Sequence, residues 1–228
     1  MPHAYFVTGT DTEVGKTTIA AALLHAARRA GLSTAAAKPV ASGCILTSEG
    51  VRNDDALALL GQCSLALRYE EVNPLAFAPA IAPHLAAREA GVVLDVACLQ
   101  AAVGAVLARR ADFTLVEGAG GWRVPLSGQQ TLSDLPVALD LPVILVVGVR
   151  LGCINHAVLT AEAIARDGLR LAGWVANVVD PQTSRLDDNL ATLAERLAAP
   201  CLGRVPRLAQ ATPALVADYL DLNALLAS

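Results

Sequence analysis

The sequence predicts an α/β fold in which a mostly parallel sheet carries helices on both faces, the doubly wound arrangement. Three observations lead to this prediction. Short apolar runs recur along the chain, and longer segments with helical periodicity separate them. The apolar runs are nearly continuous, as expected for strands buried on both faces. A length of 228 residues, with 54% hydrophobic and 17% charged residues, fits a single domain over residues 1–228.

Each strand is predicted from an apolar run, and each helix from the segment that follows it. The first strand is expected at residues 4–7, and the first helix at 17–29, where Gly31 is a stop signal. In the helix predicted at residues 96–110, apolar residues recur every three or four positions. Residues 69–91 give no clear assignment. The other strands are predicted at residues 33–37, 113–116, 142–148 and 171–176, and the other helices at 54–60, 155–166 and 186–197.

Charge and composition exclude several classes of protein. The net charge is −4 and the longest basic runs are arginine pairs, so no footprint for nucleic acid is present. The longest uncharged stretch, residues 72–87, contains three prolines and is shorter than the roughly 20 residues of a spanning helix. Residues 1–7 lack an export signal, and the five cysteines form no C-x-x-C pair. We therefore expect a cytoplasmic protein with no membrane or nucleic-acid partner.

A glycine-containing segment lies between the first predicted strand and the first predicted helix. Residues 9–18 read GTDTEVGKTT and resemble a P-loop, whose backbone N–H groups and following helix bind phosphates. Lys16 is expected to reach the terminal phosphates, and the Thr17 hydroxyl to bind Mg²⁺. In one departure, Thr10 stands where the usual spacing has its first glycine, and Gly9 comes one position earlier. The predicted fold is therefore of the P-loop NTPase type.

Two acidic positions are candidates for further Mg²⁺ ligands. Glu117 ends the apolar run 113–116, and the carboxyl ends of neighbouring parallel strands meet at one edge of a sheet. Small residues at 118–121 follow it and leave room near the phosphates. Asp54 and Asp55 form the second candidate position, and we expect one of them to cap the adjacent helix instead.

Nearly all of the basic residues are arginine rather than lysine. The chain has fifteen arginines but only two lysines, Lys16 and Lys38. Lysine is a compact point charge, whereas arginine is a wide planar fork, and a crowded site can require the former. Both lysines are therefore candidates for functional roles.

Together these motifs resemble those of the dethiobiotin synthetases, ATP-dependent enzymes of biotin synthesis. The resemblance runs from Tyr5 to about Leu208, nearly without gaps. The segments that carry it are GTDTEVGKT (9–17), KPVASG (38–43), RNDDALAL (52–59), VNP (72–74), EGAGGWRVP (117–125), LPVILVVGVRLGCINHA (141–157) and AGWVAN (172–177).

This resemblance implies a ligase, more narrowly a cyclo-ligase, that makes dethiobiotin, ADP and phosphate from 7,8-diaminononanoate, CO₂ and ATP. One amine takes up CO₂ as a carbamate, which ATP phosphorylates to a carbamic-phosphoric mixed anhydride, and the second amine then closes the ring. The implied cofactor is Mg²⁺, with ATP as co-substrate. The implied assembly is a homodimer whose active site lies near the subunit interface.

The resemblance also assigns roles to individual residues. Lys38 and Lys16 are implied as catalytic lysines. The implied substrate contacts are Ser42 and, from the neighbouring subunit, Gly152, Cys153, Ile154 and Asn155, which we expect just before a helix that begins near His156. The implied metal ligands are Thr17, Asp55 and Glu117, and the implied ATP contacts are Glu13, Val14, Gly15, Lys16, Thr17, Thr18, Asp55, Glu117, Gly118, Ala119, Gly120, Asn177, Pro206, Arg207 and Leu208.

Departures from the family pattern fall at the purine end of the nucleotide site. Val178 replaces the acid commonly found next to Asn177, and Arg207 stands at a position where family members can have an aromatic residue. The acid expected soon afterwards is missing from residues 209–214. We expect these differences to reduce discrimination between ATP and other triphosphates.

Three alternative functions share parts of this sequence pattern. P-loop switch ATPases of the partitioning type share the architecture, but they resemble K-G-G-x-G-K-T, and no lysine precedes Lys16 in this chain. A cobyrinate-type amidotransferring synthase would normally require a further glutaminase domain. A catalytically inactive nucleotide-binding module is the third alternative, and the intact Lys16, Thr17, Lys38 and Glu117 count against it.

Overall fold

The structure, a computed structural model, describes residues 2–227 and is built around a six-stranded sheet flanked by helices. The strands are β1 (His3–Gly9), β2 (Thr34–Ala37), β3 (Val40–Ala41), β4 (Ile45–Thr47), β5 (Gly50–Arg52), β6 (Leu75–Ala76), β7 (Phe113–Glu117), β8 (Val143–Val149), β9 (Leu171–Val178) and β10 (Cys201–Val205). The helices are α1 (Lys16–Arg29), α2 (Asp54–Leu60), α3 (Tyr69–Val72), α4 (Pro83–Glu89), α5 (Val96–Leu107), α6 (Asp134–Ala138), α7 (Cys153–Arg166), α8 (Leu186–Arg196), α9 (Pro213–Ala217) and α10 (Asn223–Leu226).

The central sheet has the strand order β10-β9-β8-β1-β7-β2, and every neighbouring pair is parallel. The chain leaves β1 for β2 on one side of the sheet and later fills the other side with β8, β9 and β10. All six strands therefore end at the same edge, and the crevice beside β1 is where such sheets bind ligands. The predicted fold class is confirmed.

Alternate residues of the central strands pack on opposite faces of the sheet. Tyr5 and Val7 of β1 lie in one apolar cluster with Leu23 of α1. Phe6 points to the other face and packs in a cluster with Leu99 of α5. Burial on both faces explains why the sequences of these strands are almost uninterrupted apolar runs. Within residues 2–227, no helix combines the length and the apolar character needed to cross a bilayer.

All the strands and helices predicted from the sequence are present, with ends that shift by up to three residues. The helix predicted to reach residue 110 ends at Leu107, and Arg110 adopts a φ of +55°, outside the right-handed helical region. The start predicted for α7 is wrong, because the helix begins at Cys153. Gly152, with a φ of +93°, is its N-terminal cap. Residues 153–155 therefore form the first turn of α7 and do not precede it.

Several elements are not predicted from the sequence. Strand β10 extends the sheet, but Gly203 and Arg204 interrupt its apolar pattern. The undecided segment 69–91 contains α3, β6 and α4, and Pro83 occupies the first position of α4, where its missing N–H is harmless. Strands β4 and β5 form an antiparallel hairpin, and β3 pairs with β6 in parallel.

Candidate functional site

The strand register brings polar residues together at the carboxyl edge of the sheet. Ala37 at the end of β2 pairs with Val116 of β7, so the next residues, Lys38 and Glu117, emerge side by side. Glu117 in turn pairs with Val7 of β1, and the loop that follows β1 lies next to it. Three separate segments therefore meet at this point of the sheet.

The loop after β1 explains the unusual glycine spacing. A Cβ atom at Gly9 would lie 2.6 Å from Cγ2 of Val14, so the close approach of the chain requires glycine here. Thr10 instead is held by β8. Its N–H donates to the carbonyl oxygen of Val146 at 3.0 Å, and its hydroxyl accepts from the N–H of Gly148 at 3.3 Å.

The end of the same loop places Lys16 at the start of α1. Gly15 caps the helix with a φ of +88°, and a Cβ atom there would collide with Nδ2 of Asn177. That amide nitrogen donates to the carbonyl oxygen of Val14 at 2.8 Å, which ties the loop to β9. Lys16 is 8% exposed, and its Nζ donates to the carbonyl oxygen of Asp11 at 3.2 Å.

A buried carboxylate organises the centre of the site. Glu117 has no exposed surface, and its Oε1 accepts hydrogen bonds from Lys38 Nζ at 2.6 Å and from the Thr17 hydroxyl at 2.7 Å. Lys38 Nζ also lies 3.1 Å from Oδ2 of Asp55. We call Thr17, Lys38, Asp55 and Glu117 the Glu117 cluster. Oε2 of Glu117 is buried and has no hydrogen-bond partner among the described residues.

The charges of this cluster support one another. Burial alone would lower the pKa of Lys38, but the carboxylates of Glu117 and Asp55 outweigh it and raise that pKa above its ordinary value. Partial burial opposes ionisation of Asp55, yet the Lys38 ammonium prevails and lowers the pKa of that carboxyl. Burial is the main reason that the pKa of Lys16 is lowered. Lys38 is therefore held as a cation.

The structure separates the two neighbouring aspartates at the start of α2. The cap of this helix is Asn53, whose side chain accepts from the N–H of Ala56 at 3.1 Å, so the expectation that Asp54 or Asp55 is the cap is wrong. Both aspartates lie in the first turn, where a carboxylate is favourable near the positive end of the helix. Asp55 pairs with Lys38, whereas Asp54 is exposed.

The Glu117 cluster lines a cavity of about 330 Å³, which we call the lysine cavity. Six of the predicted ATP contacts lie outside its lining: Asn177, Pro206, Arg207 and Leu208, which line a neighbouring cavity, and Val14 and Gly118. The Val14 side chain is packed in the core, and Gly118 lies so close to Phe6 that a Cβ atom would be 2.8 Å from the ring. The predicted site residues that line the cavity are Glu13, Gly15, Lys16, Thr17, Thr18, Lys38, Ser42, Asp55, Glu117, Ala119 and Gly120.

A second cavity, of about 350 Å³, adjoins the first and is called the edge cavity. The two cavities share three lining residues, Glu13, Gly15 and Thr18. The edge cavity therefore begins where the lysine cavity ends. It brings together the predicted residues Asn177, Pro206, Arg207 and Leu208, along with Val178.

The structure does not bring residues 152–155 into the lysine cavity of the same chain. They line a separate groove of about 550 Å³ between α7 and α8, the α7 groove, together with Asn189. Among the described residues, the groove and the lysine cavity have no lining residue in common. The groove also has an apolar rim, because Leu151 is 94% exposed and Leu159 is 56% exposed.

A set of buried polar residues behind Lys38 is missing from the predicted site. Asn53, Tyr69 and Asn73 form hydrogen bonds with one another or with the backbone around Lys38. Asn53 and Asn73 lie inside RNDDALAL (52–59) and VNP (72–74), two of the segments that carry the resemblance to the family. This resemblance is the one sequence signal that points to the two asparagines, and it does not indicate what either residue does. No such signal points to Tyr69.

Comparison with known proteins supports the resemblance to the dethiobiotin synthetases along almost the whole chain. A family model described as an AAA domain matches residues 3–214. The chain is 79% identical over 222 residues to the ATP-dependent dethiobiotin synthetase BioD of Pseudomonas aeruginosa (strain UCBPP-PA14), with 97% of each protein covered. It is 56% identical over 223 residues to the protein of the same name from Cellvibrio japonicus (strain Ueda107), covering 98% of this chain and 97% of that relative.

Among solved structures, the chain is similar to the MinC:MinD cell division protein complex of Aquifex aeolicus. The TM-score is 0.60, the sequence identity is 14%, and the match covers 99% of this chain and 96% of that chain. At such low identity the similarity concerns the fold alone, which agrees with the P-loop α/β architecture.

The Lys38–Asp55 ion pair predicts a specific dependence of stability on pH. The pKa of Asp55 is below its ordinary value of 3.8 in the folded protein, so its contribution is complete above pH 3.8 and is lost as the pH falls through the folded value. Asp55→Asn should lower the free energy of unfolding by about 1 kcal/mol or less at neutral pH, because the Asp55 side chain is half-exposed and the buried Lys38 keeps its ion pair with Glu117. Urea unfolding of both proteins at several pH values, with EDTA present, measures the difference.

The matched control is Asp54→Asn, which changes the exposed neighbour on the same turn of α2. It removes the favourable interaction with the helix N-terminus that both aspartates share but no ion pair, so it should destabilise the protein less than Asp55→Asn does. A destabilisation by Asp55→Asn that stayed constant down to pH 2 would contradict the role of the ion pair.

Proposed function

Because this chain belongs to the dethiobiotin synthetase family, we propose that it is an ATP-dependent cyclo-ligase that converts 7,8-diaminononanoate, CO₂ and ATP into dethiobiotin, ADP and phosphate. The observation that carries the proposal is the convergence of both lysines on one cavity beside Glu117 and the P-loop. We further propose that residues 1–228 form one synthetase domain.

The proposed reaction has three steps. One amine attacks the carbon of CO₂ and loses a proton, giving a carbamate. A carbamate oxygen attacks the γ-phosphorus of ATP, and the bond to the ADP oxygen breaks to leave the mixed anhydride. The second amine attacks the carbonyl carbon and loses a proton, while phosphate departs with the bonding electrons. Since both amines belong to one molecule, orientation can contribute up to about 7–11 kcal/mol to ring closure.

The protein's main task in this scheme is electrostatic. A carbamate and a triphosphate are both anions and repel one another as they approach. Lys38 and Lys16 supply two buried ammonium groups, and Lys38 is already oriented by Glu117 and Asp55 before a ligand binds. Preorganised charge of this kind stabilises the developing transition state without reorganisation. In this proposal Lys38 donates hydrogen bonds to the reacting oxygens and is not a nucleophile.

Thr17, Asp55 and Glu117 are proposed to hold Mg²⁺. The donor set fits, because Oε2 of Glu117 is buried without a partner, and leaving such an oxygen unsatisfied is costly. Residues 2–227 contain no cluster of three or more His, Cys, Asp or Glu side chains suited to a metal. Mg²⁺ commonly binds through one or two carboxylates and completes its shell with phosphates and water. Bound here, it would neutralise charge on the phosphates.

We propose that the triphosphate occupies the lysine cavity and that the base occupies the edge cavity. This arrangement uses the shared residues Glu13, Gly15 and Thr18 at the junction. Val14 and Gly118 would then act through their backbones, since their side-chain positions face the core. The remaining proposed nucleotide contacts are Lys16, Thr17, Asp55, Glu117, Ala119, Gly120, Asn177, Pro206, Arg207 and Leu208.

We propose that the substrate-binding residues come from two chains. Ser42 lines the lysine cavity, whereas Gly152, Cys153, Ile154 and Asn155 line the α7 groove of the same chain. In the first turn of α7 the N–H of Cys153 donates to the carbonyl oxygen of Arg150 at 3.0 Å, so the N–H groups of Ile154 and Asn155 are the ones proposed to bind a carboxylate. The exposed Leu151 and Leu159 give the groove an apolar rim suited to burial against a second copy. A homodimer would place this turn next to the partner's lysine cavity.

The proposed reaction is tested by phosphate release from Mg²⁺-ATP in the presence of 7,8-diaminononanoate and bicarbonate. Release should require every component, because the phosphoryl acceptor forms only from the diamine and CO₂. Omitting each component in turn, and identifying dethiobiotin by mass spectrometry, checks this. Release that continued without the diamine would instead favour a switch ATPase.

Lys38→Ala should lower kcat by about 10²–10³-fold, since one preorganised charge is lost from the transition state. Lys38→Arg should restore little activity, because the planar fork does not fit where the compact ammonium lies. Steady-state kinetics gives the comparison, with circular dichroism to confirm the fold. Arg88→Ala, which removes an exposed cation on α4, is the control and should keep full activity. Wild-type turnover by Lys38→Ala would refute the assignment.

Subunit mixing tests whether the active site uses two chains. Asn155→Asp should impair diamine binding by adding a negative charge beside the proposed carboxylate site, and Lys38→Ala should be nearly inactive. After the two variants are unfolded together and refolded, a two-fold symmetric dimer should regain roughly a quarter of wild-type activity, because mixed dimers contain one intact site. No regain, despite mixed dimers seen by native mass spectrometry, would show that each site lies within one chain.

A further inference from the structure

Tyr69 of α3 carries a buried hydroxyl for which the proposed chemistry has no use. Its oxygen accepts a hydrogen bond from the N–H of Asn53 at 2.7 Å and donates one to Oδ1 of Asn73 at 2.8 Å. These directions are fixed, because a backbone N–H can only donate and an amide oxygen can only accept. All three residues are at most 8% exposed, so the protein itself must satisfy these groups.

On one side, this hydrogen-bond chain holds the backbone of Lys38. Nδ2 of Asn73 donates to the carbonyl oxygen of Lys38 at 2.6 Å, and the N–H of Lys38 donates to the carbonyl oxygen of Val72 at 2.7 Å. The peptide groups on both sides of the Lys38 Cα are therefore bonded to residues 72–73. The position from which the Lys38 side chain extends is set by this segment.

On the other side, the chain holds the start of α2. Asn53 caps this helix, and Asp55 lies in its first turn. Lys38 Nζ and Asp55 Oδ2, 3.1 Å apart, then close a ring of contacts that runs back through Asn53, Tyr69 and Asn73. The Tyr69 hydroxyl is the link that joins the two halves of this ring.

The aromatic ring of Tyr69 is itself held in place. The guanidinium carbon of Arg52 lies 4.2 Å from the ring centroid, and Arg52 is anchored by an ion pair with Glu70 at 3.2 Å. Burial raises the pKa of the Tyr69 hydroxyl, which keeps it protonated as a donor to Asn73. Neither the ring nor its hydroxyl is free to turn away.

We infer that Tyr69 is a positioning residue whose hydroxyl sets the placement of the Lys38 ammonium relative to Asp55 in the lysine cavity. The inference rests on the proposed function, in which Lys38 contacts the reacting oxygens. Tyr69 itself does not line the lysine cavity, so its effect on the reaction passes through Lys38.

Tyr69→Phe removes the hydroxyl and keeps the ring and its contact with Arg52. Misplacement of Lys38 should lower kcat by about 10- to 100-fold, while the KM for ATP changes by a smaller factor because most of the proposed phosphate contacts belong to the P-loop and are untouched. The matched control is Tyr5→Phe, which removes the buried hydroxyl that donates to the carbonyl oxygen of Leu225 at 2.6 Å. It should lower the Tm to a similar degree and leave kcat unchanged.

A second measurement does not depend on activity. Because the chain has two lysines, selective ¹³Cε labelling gives two NMR signals, which Lys38→Arg assigns. Tyr69→Phe should shift the Lys38 signal more than the Lys16 signal, and Tyr5→Phe should shift neither. If Tyr69→Phe folds poorly, Asn73→Ala breaks the same ring next to Lys38 and undergoes the same measurements.

The outcomes distinguish the inference from the proposed function. A shifted Lys38 signal in a protein whose wild type makes no dethiobiotin would support the positioning role and refute the proposed function. An unmoved Lys38 signal, or equal losses of kcat in Tyr69→Phe and Tyr5→Phe, would overturn the positioning role while leaving the proposed function intact.

Discussion

A carboxylate with no exposed surface, at the end of β7, is the constraint on which the site depends. Burying an ion is costly unless charge and hydrogen bonds compensate it, and Glu117 receives both from Lys38 and Thr17. Lys38 follows β2, and Thr17 belongs to the helix after β1, so satisfying one carboxylate ties together three segments that are distant in sequence. The remaining oxygen of Glu117 is buried and has no hydrogen-bond partner among the described residues.

The parallel sheet brings these segments together, and the side chains at its carboxyl edge determine which chemistry the site can support. A chain with 14% identity has the same architecture, so the architecture by itself does not select a reaction. The family relationship rests instead on similarity along nearly the whole chain, including the segments around Lys38 and Glu117. In this chain those two segments are the connections that follow β2 and β7.

The strands of the central sheet, except β10, the main helices and the phosphate-binding part of the site could be predicted from the sequence, because their signals are local. Lys16 and Thr17 stand in a recognisable loop, and Glu117 ends an apolar run. The sequence predicts Asp54 or Asp55 as the cap of α2, whereas the cap is Asn53; the local signal does not distinguish these positions, since Asn and Asp cap helices about equally well. The link from Tyr69 to Lys38 spans thirty-one positions and depends on tertiary packing. Neither the periodicity nor the spacing of residues in the sequence predicts hydrogen bonds of this kind.

The scarcity of lysine has a practical consequence for handling the protein. Both ε-amino groups are almost fully buried, whereas the fifteen other basic side chains are guanidinium groups. Succinimidyl esters and similar acylating reagents would find little to modify on the native fold beyond the terminal amine. Acylation of Lys38 would then report that the end of β2 had opened, so an amine-reactive dye could serve as a probe of local unfolding.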